Sequence, residues 1–251
     1  MSTSTRTVEP DLDRTLASFE RAIFAPTVDE ADLRALGSRD RVLLYRELVR
    51  SRLRDLVASA LPRVTTTIGR PALDRLVDQR LSHAPPTTRF FREVVLEVVD
   101  PIAPGLASEA HPHLDDLARL ELAQWRAIWD DRTTDATLVE FDFGKRPVVS
   151  PTMTRLELDH SVHLTDRPIE RGRFHVAVYR RRDHVIETRW MNGPLAAILD
   201  QWRAGELSAI DGVRAAMSSL GREPTPEIVD QMSSLLAELL ERGGLLGCRA
   251  Q

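Results

Sequence analysis

Apolar residues recur at steps of three and four through the first 130 residues, and at steps of two through much of the stretch that follows. Between Asp13 and Phe24, Leu16, Phe19, Ile23 and Phe24 fall at helical spacing and predict a short amphipathic helix. The longest stripe runs from Asp40 to Leu61, through Val42, Tyr45, Leu48, Val49, Leu53, Leu56, Val57 and Ala60. That line is expected to face the core, with Arg41, Arg46, Glu47, Arg50, Arg54 and Asp55 mostly off it. Pro62 ends or kinks the helix, because it lacks a donor and clashes with the preceding turn. Gly69-Arg70-Pro71 opens a further helix bearing Leu73, Leu76, Val77 and Leu81. Arg89 to Val99 and Leu114 to Trp129 complete the helical half, and the polar first dozen residues are expected to fray.

After Asp130 the period shortens. Leu138 to Phe143, parts of Thr154–Leu164, Arg173–Arg180 and His184–Trp190 alternate as strands, and the last two should form a hairpin about Arg181-Arg182-Asp183. Helical spacing then returns in three segments. Asn192 caps the first, Ser208 begins the second, and Thr225-Pro226 starts a third that runs to Glu241. Gly243-Gly244 stops it, and Leu245-Leu246 can form a closing strand. The fold class is therefore α+β: an all-helical domain over residues 13–130, then a small winged-helix-like strand and three-helix domain over 136–251.

Charge and composition narrow the partners. The net charge is −4 over 251 residues, with 34 basic and 38 acidic side chains. Residues 151–251 carry 13 Arg against 14 Asp and Glu, a net of −1. Neither half is a basic module that would coat nucleic acid. No apolar run nears the roughly 18 residues of a membrane span, and the N-terminus shows no signal core, so a cytoplasmic protein is expected. Cys248 is the one cysteine and can form no internal disulfide.

Catalytic chemistry is hard to find. His111-Pro-His113 and His160-Ser-Val-His163 are the only close histidine pairs, and the second would point to opposite faces of a strand. No G-x-S-x-G elbow, phosphate-cradling loop or helical zinc motif is present. No catalytic residue, metal ligand or cofactor is therefore assigned to the chain. Glu121 shares a helical face with Leu117, Trp125 and Ile128, so it should be buried and paired, for instance to Tyr45, Arg46 or Arg50. Seven arginines between Arg167 and Arg189 give a local charge of +4. Arg180, Arg181 and Arg182 at their centre read either as a solvated hairpin tip or as a docking surface for an acidic partner or phosphate.

Strands followed by three helices and a closing strand serve two functions. One reads DNA with the second helix of a pair, but neither Ser208–Leu220 nor the acidic Thr225–Glu241 offers base-reading side chains. The other captures an extended peptide on a strand edge beside an apolar helix. Ile228, Met232, Leu235 and Leu236 would supply the groove wall.

Two sets of residues carry a resemblance. Tyr45-Arg46 with Arg50, Leu61-Pro62-Arg63-Val64, Gly69, His83 with Pro85-Pro86, and His113-Leu-Asp-Asp-Leu-Ala-Arg-Leu-Glu121 resemble a bacterial family of helical domains first described as DNA-binding. Its members include the partner proteins of multinuclear non-haem iron-dependent oxidative enzymes. Asn192–Leu199, Leu239–Gly243 and Leu245-Leu246 are similar to the end of a recognition element from ribosomal peptide biosynthesis. The resemblance implies a non-enzymatic subunit that binds a precursor's leader segment and presents it to the oxidative enzyme. It implies that the leader pairs antiparallel with an edge strand, which by order along the chain falls on His184, Val185, Ile186, Thr188 and Trp190. It implies a hetero-oligomer whose iron belongs to the enzyme. A transcription regulator using the same fold on DNA, with the arginine-rich hairpin as its wing, is the alternative.

Overall fold

A computed structural model describes residues 12–223 and 225–250, with the side chains of residues 226–229 left aside. The expected fraying at the N-terminus falls largely outside the described residues. The chain divides into two compact units, Met1–Leu106 and Ala107–Gln251.

The first unit is helical: α1 (Leu12–Phe24), α2 (Glu30–Leu36), α3 (Arg39–Ala60), α4 (Pro62–Ile68), α5 (Arg70–His83) and α6 (Phe91–Val99). Two of these, α2 and α4, are too short to show in the apolar spacing. Pro62 does break the long helix: Leu61 ends α3, and the proline takes a first-turn position of α4, where its missing N–H costs nothing. Leu53, Val57, Leu61, Val64, Leu73, Val77, Leu81, Val94, Val95 and Val98 are all buried. Arg46 donates to the carbonyls of Ala22 (2.8 Å), Ile23 (2.8 Å) and Ala25 (2.7 Å). These are carbonyls at the end of α1 that lack a continuing turn, and a cation there also suits the helix dipole. Arg50 and Arg54 converge on Asp78, at 3.1 and 3.0 Å.

Two expected inward stripes are corrected here. On α3 the buried line is Val42, Arg50, Leu53, Val57 and Ala60, while Tyr45 and Leu48 stand exposed. On α1 the buried residues are Ser18, Ala22 and Ile23, while Leu16 and Phe19 point outward. The packing of α1 against α2 and α3 buries Ser18, Ala22 and Ile23 toward its C-terminal half, and the large side chains of Leu12, Leu16 and Phe19 are left on the outside.

The second unit begins with α7 (Leu114–Trp129), then β1 (Leu138–Val139), β2 (Pro147–Val149), β3 (Thr154–His160), β4 (Arg171–Arg180) and β5 (Ile186–Met191). There follow α8 (Gly193–Ala204), α9 (Ala209–Ser219), α10 (Pro226–Arg242) and β6 (Leu245–Arg249). The change of period after Asp130 places a sequence boundary behind α7. The packing boundary lies before it, because α7 rests on β3, β4 and β5. Asn192 and Ser208 cap α8 and α9 as expected, accepting from Leu195 N–H and Asp211 N–H.

The strands make two antiparallel sheets, β3-β4-β5 and β1-β6-β2. The closing strand sits centrally in the smaller sheet, with Cys248 fully buried in it. Gly247, at φ +126°, is required there, since a Cβ would lie 2.4 Å from the Val139 carbonyl oxygen. One face of the larger sheet, through Ala177, Tyr179 and Met191, packs with Leu195, Ile198, Leu199, Trp202, Met232, Leu235, Leu236 and Leu239. On its other face Gln124 of α7 donates to Thr188 Oγ1 (3.0 Å).

Candidate functional site

The order β3-β4-β5 leaves two sheet edges, and they are treated differently. At the β3 edge the buried carboxylate of Asp116 accepts from Asp159 N–H (2.8 Å) and lies 2.9 Å from His160 Nδ1. A side chain therefore caps the end of that edge. At β5 the hairpin mouth sets the alternation, since Arg181 N–H donates to Val185 O (2.9 Å) and His184 N–H to Arg181 O (3.0 Å). Narrow pairs then fall at Tyr179↔Glu187, Ala177↔Arg189 and His175↔Met191. The N–H and C=O groups of Ile186, Thr188 and Trp190 consequently turn away from β4, toward an edge where no strand lies among the described residues.

His184 and Val185, expected in the strand, belong to the turn instead. His184 adopts φ +66°, the extra residue of a bulged hairpin that glycine usually fills. Asp183 Oδ1 steadies the turn by accepting from Val185 N–H (3.3 Å).

Helix α10 flanks the open edge through polar side chains. Asn192, just past β5, donates to Gln231 (2.6 Å), Arg189 meets Glu238 (2.7 Å) and Arg242 donates to Glu187 (2.7 Å). The positions descend on the helix as they ascend on the strand, so the two run antiparallel. From Gln231 to Arg242 the helix rises about 16 Å, and from Glu187 to Asn192 the strand advances about 16 Å, so the three bridges stay in register. The Arg189–Glu238 pair is close but poorly aligned, leaving Arg189 Nε and Glu238 Oε2 buried without a hydrogen-bond partner among the described residues. Beneath, burial pushes the Tyr179 hydroxyl up to about 12, helped by the nearby Glu187 carboxylate.

The expected groove wall is placed differently. Met232, Leu235 and Leu236 are each at least nine-tenths buried in the core, and the side chain of Ile228 lies outside the described residues. Of the edge residues, Ile186 is half-buried, Thr188 is held by α7, and Trp190 is exposed. Sequence reasoning missed Glu187, Arg189, Gln231, Glu238 and Arg242. The steps of seven and four linking Gln231, Glu238 and Arg242 are a legible polar stripe on α10, but nothing in the sequence says which strand it meets.

The hairpin arginines are largely engaged. Arg180 donates to Ile128 O (3.2 Å), and Arg181 pairs with Asp183 (2.8 Å) and Glu187 (3.5 Å). Arg182 is exposed, its stem against Gly243. Among the described residues no three His, Cys, Asp or Glu side chains are placed to hold a metal ion, and no helix is long and apolar enough to cross a membrane. The arrangement offers strand pairing and ion pairing, and it brings together no nucleophile with a base. No protein-family model matches the chain, and no curated protein matches it.

Proposed function

We propose that the chain is a non-catalytic partner protein that captures the leader segment of a ribosomally made precursor peptide and presents it to an iron-dependent oxidative enzyme in the cytoplasm. The observation that carries this reading is the open edge of β5 beside the polar stripe of α10. An extended peptide can add a fourth strand there, taking up the outward backbone groups of Ile186, Thr188 and Trp190. Side chains on alternate positions of that peptide would meet either the α10 stripe or the exposed ring of Trp190. Pairing of this kind fixes direction and register, so that the remote core of the peptide is delivered to the enzyme's metal, a proximity effect. Iron would be held by the enzyme and not by this chain.

The DNA-binding alternative draws little support, because Arg214 of α9 is paired with Asp211 (3.0 Å) and α10 spends its polar side chains on β5. The test is co-expression of the chain with the products of its neighbouring genes and co-purification of any iron enzyme and short precursor among them, followed by calorimetry with the precursor's leader. Binding of the leader, with iron recovered in the enzyme, supports the reading. Failure to bind either partner, with salt-dependent binding to duplex DNA, replaces it by the regulator.

A further inference from the structure

We propose that the first unit pairs with a second copy of this chain through the outer face of α1, α3 and α6. The inference stands apart from the peptide-binding reading, which concerns β5 and α10.

Three apolar groups make the face. Leu12, Leu16 and Phe19 line one side of α1, Leu44, Tyr45 and Leu48 one side of α3, and Phe90 and Phe91 stand at the start of α6. All eight are between 38% and 67% exposed. They are joined in space, since the Phe19 and Tyr45 rings lie 5.5 Å apart. Arg52, one turn beyond Leu48, stacks 5.9 Å from the centre of the Phe91 ring. Eight half-exposed side chains of this size present on the order of 800 Å². A usual monomer patch holds only about 300–600 Å², while one side of a stable interface buries roughly 800 Å².

Charge selects the occupant. At the α6 end Arg52 and Arg89 have no ion-pair partner among the described residues. At the α1 end Asp13 and Glu20 likewise have none. With about 100° per residue, both acids flank the same side of the Leu12–Leu16–Phe19 line, whereas Arg14 and Arg21 fall on the back of the helix. Tyr45 meets Phe19, and Arg46 and Arg50 reach the carbonyls at the end of α1, so the earlier turns of α3 run beside earlier turns of α1. Arg41 therefore lies toward the acidic end and reduces its charge without cancelling it. The strip is apolar in the middle, acidic at one end and basic at the other. A two-fold axis near the Phe19–Tyr45 contact would lay the α6 end of one copy on the α1 end of the other, which is the self-complementarity that an isologous dimer needs.

The test is sedimentation velocity on the full chain at micromolar concentration. The wild type should sediment at twice its 28.3 kDa mass. Leu48→Glu should be a monomer with unchanged circular dichroism, because the side chain it replaces is exposed, and its melting temperature should lose the dependence on protein concentration that the dimer gives the wild type. Asp13→Arg with Glu20→Arg should weaken the dimer at least tenfold, and adding Arg52→Glu with Arg89→Glu to the same chain should restore it. A monomeric wild type overturns the proposal, whether the face then proves bare or taken by another protein. A dimer that survives Leu48→Glu, or a charge reversal without rescue, also overturns it.

Discussion

Helices α1 and α10 are both amphipathic, and they dispose of their two sides in opposite ways. In the second unit α10 buries Met232, Leu235, Leu236 and Leu239 and lays its polar stripe along β5. In the first unit α1 buries Ser18, Ala22 and Ile23 and leaves Leu12, Leu16 and Phe19 outside. The sheet offers α10 a flat apolar floor that long side chains fill, and Gly244 keeps it accessible, since a Cβ there would lie 2.6 Å from the Leu239 side chain. The helices α2 and α3 cover α1 only around Ser18, Ala22 and Ile23 and leave its earlier large side chains uncovered. An apolar stripe therefore says that a side chain needs cover, and the local packing decides whether the same chain supplies it.

The largest expected effect separates the buried face of α10 from the exposed outer face of the first unit. Leu239→Ala should cost about 2–5 kcal/mol in chemical denaturation, through lost burial and the cavity left behind. Leu48→Ala in the first unit, measured at a protein concentration low enough to keep the chain monomeric, should stay within about 0.5 kcal/mol of wild type. Equal losses would mean that the outer face of α3 is already covered in the monomer. Next comes Glu121→Ala, expected to destabilise by about 1–3 kcal/mol because Glu121 is only 3% exposed and its loss orphans a polar neighbour. An unchanged denaturation midpoint would show that the buried carboxylate contributes nothing.

Ile186→Pro sharpens the other half of the comparison. The N–H it removes faces the open edge, so the fold should tolerate it, while leader affinity should fall by about tenfold or more through a lost donor and the intruding ring. Unaltered calorimetry would remove β5 from the binding site. The smallest effect concerns acid. Burial lowers the pKa of His163, whose Nδ1 finds no hydrogen-bond partner among the described residues and whose ring lies against Phe174. A folded pKa below the unfolded value means that its stabilising contribution is present above the ordinary histidine range and lost as the pH falls through it. His163→Leu should flatten that part of the stability profile, and an identical pH profile in the variant would assign the acid sensitivity elsewhere.

Much of the architecture was legible. The helix α7, the Asn192 and Ser208 caps, the Pro62 break, the hairpin and the closing strand all follow from local rules of spacing, capping and ring geometry. The open edge was legible as a strand but not as an edge, because alternation is the same for a central and a peripheral strand. His184 was misplaced by its non-glycine identity at a position of positive φ. The polar stripe of α10 was passed over because, in sequence, Gln231, Glu238 and Arg242 look like solvated residues beside an apolar face.

Taken by itself, the chain's sequence determined the α+β class, the order of its elements and the near-neutral charge of each half. These depend on neighbours within a few residues, where backbone hydrogen bonding and side-chain period act. Only the tertiary structure decided that the outer edge of β5 meets no strand among the described residues, that Arg189 and Arg242 are drawn to Glu238 and Glu187, and that α1 and α3 turn large apolar side chains outward. Those outcomes depend on which surfaces meet across long stretches of chain, 24 residues between Ala22 and Arg46 and 55 between Glu187 and Arg242, and packing volume and charge pairing at that range leave no periodic trace in the sequence.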